Sequence, residues 1–171
     1  CDPVFLLSAD QYRKISKVKE KEKYILVYSI NKDPLLEQVV DRVSEILKIK
    51  VIYVGGFAKK CKSDKFPRGI GPREFLGYMD NAEVIITSSF HGTAFSLIFN
   101  KPFIVVPPKL NRLRLDSILE IAGLSNRTIS SSDEVESLLM QNIEYDVVNS
   151  KLDSFISSSK QYLNESIDDI I

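Results

Sequence analysis

A chain of 171 residues, 44% of them hydrophobic, can bury roughly two-thirds of its unfolded surface, so one domain needs no metal or disulfide to hold its core. Lys+Arg and Asp+Glu both number 23, and that balance excludes a general electrostatic drive toward nucleic acid or an anionic membrane. Cys1 and Cys61 make no disulfide framework, one His leaves no metal-ligand set, and no apolar run approaches the ~18–20 residues of a spanning helix; the expectation is a reduced, cytoplasmic domain with no metal or cofactor.

The chain opens at Cys1-Asp2-Pro3 without a methionine, which reads as a cut from a longer protein or, equally, as the result of processing or a tag scar. Lys23 to Ile30 (KYILVYSI) is aromatic and branched, the signature of a buried strand. Asp33-Pro34 supplies an N-cap and a first-turn proline, and Leu35, Leu36, Val39, Val40, Val43, Ile46 and Leu47 follow at helical spacing. Lys50 to Val54 is the next strand, ended by Gly55-Gly56. A basic, apolar-poor loop spans 57–70, and Gly71-Pro72 starts a helix in which Phe75, Leu76 and Met79 share a face. Glu83 to Thr87 is a third strand. His91 to Phe99, apolar almost all round, is a buried helix.

Pro102 to Val106 is the fourth strand, stopped by Pro107-Pro108. Leu113 to Ala122 is a helix closed by Gly123. Arg127 to Ile129 reads as a short edge strand, and Ser131 with Glu134 as a capping box. From about Val147 one long helix runs onward. Strands separated by helices, with continuous apolar character, mean a mostly parallel sheet covered on both faces. The predicted fold is a doubly wound, Rossmann-like α/β domain over 1–171, with ligands beyond the carboxyl ends of its strands.

The informative stretch is Val84 to Pro102, VIITSSFHGTAFSLIFNKP. Ser88, Ser89, His91, Gly92 and Thr93 fall where a helix begins, and free N–H groups with the helix dipole attract an anion there. Gly92 would let a ligand approach the backbone. His91 can exchange a proton at neutral pH or add charge beside an anion; equally, it can serve as a hydrogen-bonding helix-start residue. Lys109, Arg112 and Arg114, after the fourth strand, are candidates to hold phosphate and carboxylate, against the plainer reading of a solvated loop. The run Lys59, Lys60, Lys62, Lys65 and Arg68 is by default solvated, with contact to a phosphorylated acceptor as the sharper alternative. Lys101 reads as a surface residue. No Walker loop, GxGxxG or G-x-S-x-G is present.

The run GPREFLGYMDNAEVIITSSFHGTAFSLIFNKPFIVVP resembles the C-terminal hallmark segment of bacterial polysaccharide pyruvyl transferases, with Ser-Phe-His-Gly-Thr as its specific part. DPVFLLSADQY followed by KYILVYSI is similar to that family's passage from an interdomain linker into the second domain. The resemblance covers about residues 2–123. It implies the C-terminal half of a two-domain enzyme of GT-B type, completed by a further N-terminal domain. It implies transfer of the enolpyruvyl unit of phosphoenolpyruvate to a sugar, or lipid-linked glycan, of a cell-surface polysaccharide, with ketal formation and phosphate release. The family's histidine falls on His91, as acid/base or phosphate contact, and a family lysine falls near Lys109. Some members carry an arginine two residues before the histidine; Ser89 stands there. Two other readings remain open: a nucleotide-sugar glycosyltransferase of the same architecture, and a non-catalytic glycan-binding module. Residues 1–171 alone are expected to fold and to turn over negligibly.

Overall fold

The computed structural model describes residues 1–17, 20–56, 59, 61–108 and 112–168. Four strands, β1 (Tyr24–Tyr28), β2 (Lys50–Val54), β3 (Val84–Thr87) and β4 (Phe103–Val105), form one sheet in the order β2-β1-β3-β4. Every pairing is parallel, with Ile25 opposite both Val51 and Val84, and Ile85 opposite Phe103. Successive side chains enter different cores. Tyr24 and Leu26 of β1, Ile52 and Val54 of β2, Ile85 of β3 and Phe103 and Val105 of β4 face one core. Ile25, Val27, Val51, Tyr53, Val84, Ile86 and Ile104 face the other. A strand buried on both sides has no polar face to show, and hence its unbroken apolar run.

The helices divide between these faces. Helix α2 (Pro34–Leu47) buries Leu36, Val39, Val40 and Val43 in the second core, beside α6 (Val135–Met140) with Val135 and Leu138. Asp33 caps α2, accepting from the Leu35 N–H at 2.8 Å. Helices α3 (Pro72–Asn81), α4 (Phe90–Ile98), α5 (Leu113–Ala122) and α7 (Tyr145–Asp168) contribute to the first core. The sheet is therefore doubly wound. The helix over 113–122 ends at Gly123 (φ 70), and the Ser131–Glu134 capping box forms on a 3-10 turn that leads into α6.

Two segments differ from their sequence reading. The stretch likened to a linker passage, with no predicted element of its own, forms a 3-10 turn, Pro3–Leu6, and a helix, α1 (Ala9–Ile15), started by a Ser8/Gln11 capping box. Phe5 and Tyr12 are buried, and the Tyr12 ring meets Phe95 edge-on with centroids 5.1 Å apart. Residues 127–129 do not form a strand: a 3-10 turn, Ser125–Arg127, precedes a single bridge between Thr128 and Val105. The cause is the Arg127 side chain, which turns inward to donate to the carbonyls of Leu138 (2.9 Å) and Gln141 (2.7 Å) at the C-terminal end of α6, where carbonyls lack helical partners.

Candidate functional site

The chain winds from β1 to β2 on one side, then returns past β1 to β3 on the other. That reversal opens the crevice between the carboxyl ends of β1 and β3, where open α/β sheets bind ligands. Ser29, directly after β1, and Ser88, directly after β3, meet there with hydroxyl oxygens 2.7 Å apart. The Ser29 hydroxyl donates to the Asn31 carbonyl (2.9 Å), so its single proton is committed and Ser88 must be the donor between them. The pair ties the β1–α2 loop to the β3–α4 turn.

Thr87 shapes the same turn. Its buried hydroxyl donates to the Tyr28 carbonyl at 2.8 Å and accepts from the Ser89 N–H at 3.0 Å. Ser89 is the residue before α4, yet its side chain makes no capping bond. A Ser in that position normally occupies one of the first helical N–H groups. Here the N–H groups of Phe90, His91 and Gly92 have no acceptor among the described residues. With the dipole behind them, those donors attract negative charge. His91 is exposed at this end, its ring 5.5 Å from that of Phe90. Arg114 also stacks on Phe90, its guanidinium carbon 4.3 Å from the ring centroid, and pairs with Asp2 at 2.6 Å.

The predicted residues thus separate. Ser89, His91 and Arg114 gather around the open end of α4. Ser88 is there too, with its proton spent on Ser29. Thr93 is fully buried and its hydroxyl donates to the Ser89 carbonyl at 3.2 Å, so its side chain braces the helix from inside. Gly92 is buried as well, and a Cβ there would lie 2.1 Å from the Thr87 hydroxyl oxygen and 3.0 Å from the Tyr28 ring. Glycine is required for α4 to approach the ends of β3 and β1, a packing reason that the sequence reading did not include. Arg112 is held by Asp116, with Nε 2.8 and 2.9 Å from the two carboxylate oxygens. Lys109 lies outside the described residues, as does Lys60.

Of the remaining basic run, Lys65 pairs with Glu20 at 2.8 Å, Lys59 donates to the Ser63 carbonyl, and Arg68 is exposed. Lys101 is half-buried, and desolvation lowers its pKa from the usual lysine value. Burial pushes the Cys61 thiol up to about 12, which keeps it an unreactive core residue at neutral pH. Among the described residues no three potential metal ligands cluster, and no helix is long and apolar enough to cross a membrane. Sequence reasoning passed over Ser29 and Thr87. The signal available for each was a hydroxyl residue in the last positions of an otherwise apolar strand.

Comparison with known proteins adds three findings. The family model described as polysaccharide pyruvyl transferase matches residues 1–109. No curated protein sequence matches the chain. Among solved structures, the chain is similar to a glycotransferase of kitacinnamycin, at 16% identity and a TM-score of 0.53 over 80% of this chain and 40% of that one. It is also similar to a UDP-GlcNAc 2-epimerase of Methanocaldococcus jannaschii, at 17% identity and a TM-score of 0.49 over 78% and 41%. The chain therefore spans about two-fifths of the length of these structures. At such identity the first likeness shows a shared α/β fold and nothing of its ligands.

Proposed function

The chain belongs to the polysaccharide pyruvyl transferase family, and from that membership we propose that it is the donor-holding, C-terminal half of a GT-B-type enzyme that moves the pyruvyl group of phosphoenolpyruvate onto a sugar of a cell-surface polysaccharide. The observation that carries this reading is the uncapped start of α4, where three N–H groups have no acceptor among the described residues, beside an exposed imidazole. A phosphate has the charge and the acceptor oxygens to fill that position. Arg114, stacked on Phe90, keeps donors of its guanidinium beyond the one used by Asp2, and stands ready for the donor's carboxylate. On this reading it supplies the carboxylate contact that Ser89, two residues before His91, does not.

The reaction has several bond and proton changes to arrange. A sugar hydroxyl oxygen bonds to C2 of the enol, its proton leaves through a base, and a proton is delivered to the methylene carbon C3. The bond from C2 to the phosphate oxygen then breaks, and a second hydroxyl closes the ketal as phosphate departs with that hydroxyl's proton. His91 is placed to move a proton and, when charged, to steady the departing phosphate. The sugar, or lipid-linked glycan, and the remaining catalytic groups come from the acceptor side and from the N-terminal domain of the complete enzyme.

The test is phosphate release from phosphoenolpyruvate by the full-length protein, with the glycan-lipid fraction of the source membrane as acceptor. Release matched by acid-labile pyruvate on the glycan is expected. His91→Ala should lower it by about 10²-fold or more with an unchanged circular dichroism spectrum. Undiminished release in that variant contradicts the role of His91. No release, together with thermal protection by UDP- or GDP-sugars, favours the glycosyltransferase reading.

A further inference from the structure

A cavity of about 620 Å³ opens at the carboxyl ends of β1 and β2, on the same edge of the sheet as His91 but on the opposite side of β1. Its size is within the ~300–1,000 Å³ range of small-molecule sites. Tyr28, Phe66 and Phe75 wall it, Gly55 and Gly56 line its strand side, and Arg68 stands at its rim. The rings of Tyr28 and Phe75 are fixed against each other, centroids 4.9 Å apart, and Phe66 packs on Tyr53 at 5.5 Å. These walls are preformed.

Three features ask for a ligand that is ringed, hydroxylated and negatively charged. The aromatic walls offer apolar faces to the C–H face of a sugar ring, while orientation is set by a few polar groups. Those polar groups are the Tyr28 hydroxyl and the exposed Gly56 N–H, neither with a hydrogen-bond partner among the described residues. Among the described residues no atom lies within 4 Å of the position a Gly56 Cβ would take, so they leave the backbone there open to a ligand. Arg68 is exposed, and among the described residues it has neither an ion pair nor a hydrogen bond. Its planar fork suits a phosphoryl group. Tyr28 links this cavity to the α4 turn, since its ring also fills the space beside Gly92.

We propose that this cavity binds a pyranose ring bearing a phosphoryl group, with the ring against Tyr28, Phe66 and Phe75 and the phosphoryl on Arg68. Its assignment as the acceptor's subsite rests on the transferase reading above; the binding itself rests on the cavity alone. Such a ligand occurs both in lipid-linked glycans and in free sugar phosphates, and the shared chemistry is what the site recognises.

The test uses amide chemical shifts of the chain 1–171, whose two cores are closed by its own elements, titrated with α-D-glucose 1-phosphate, glucose, inorganic phosphate and uridine. Glucose 1-phosphate should move Gly55, Gly56, Gly69 and Gly71, and Arg68→Ala should weaken it about tenfold or more, as expected for loss of a charged hydrogen bond. Equal shifts from phosphate alone, preference for uridine, an unaffected Arg68→Ala, or stationary glycines each overturn the proposal. A parallel titration with phosphoenolpyruvate reads the α4 turn separately. If Phe90 and His91 stay still while the glycine shifts hold, the transferase reading falls and the sugar phosphate site stands; the converse result separates them the other way.

Discussion

His91 stands at the mouth of the β3–α4 turn with its ring in solvent, while its neighbours hold the turn in shape. Thr87 spends both functions of its hydroxyl on backbone, Ser88 closes on Ser29, and Thr93 bonds back to Ser89. Gly92 is the residue on which this arrangement turns. A Cβ would meet the Thr87 hydroxyl oxygen at 2.1 Å and its Cβ at 2.8 Å, and neither can retreat without breaking a bond to Tyr28 or Ser89. Gly92→Ala should therefore destabilise by about 1–3 kcal/mol, the usual cost of overpacking, lowering the melting temperature by roughly 2–4 °C per kcal/mol. An unchanged melting temperature would mean that α4 lies further from β3 than described. The sequence showed which residues belong to this turn, because a strand, hydroxyl residues and a helix start follow one another directly. It did not show which of them face inward, since Ser88, Ser89 and Thr93 are chemically alike and differ only in what the fold brings against them.

At the scale of elements, caps and apolar spacing were the legible part. Asp33-Pro34 starts α2, Gly71-Pro72 starts α3, and Gly123 ends α5, because each is a local device needing only its own few residues. The N-terminal segment was illegible for the opposite reason: α1 has one buried residue, Tyr12, and its place is settled by Phe95 and Phe99, far away in the chain. Arg127 shows the same limit, its inward turn being dictated by the carbonyls at the end of α6.

Glu20 is a similar long-range tie. Its carboxylate, 12% exposed, lies 2.8 Å from both Lys50 at the start of β2 and Lys65 on the loop that bears Arg68. Hydrogen bonds from Lys50 and Lys65 hold the Glu20 pKa down, from the ordinary 4.5 to about 2. A lowered folded-state value contributes stability that is present above about pH 4.5 and lost as pH falls toward 2. Glu20→Gln should thus be less stable than the parent at pH 7, with the difference vanishing across that interval. Denaturant melts at several pH values measure it, and a difference that persists at pH 2 would contradict the pairing.

For the whole molecule, a sheet buried on both faces places rigid strand ends along one edge, and the two parts of the proposed mechanism share that edge. The α4 turn lies to one side of β1 and the aromatic cavity to the other, with Tyr28 packed between them. On the proposed reading one face of the donor stays open for an acceptor and for a second domain, and residues 1–171 by themselves are expected to fold and to turn over negligibly. The central claim is that the uncapped start of α4 holds the phosphate of phosphoenolpyruvate. Amide shifts of the chain on titration with phosphoenolpyruvate test it most directly. The account predicts saturable movement of the Phe90, His91 and Gly92 N–H signals, with the His91 ring moving in step. Signals there that remain still while phosphoenolpyruvate shifts another surface, or none, would contradict it.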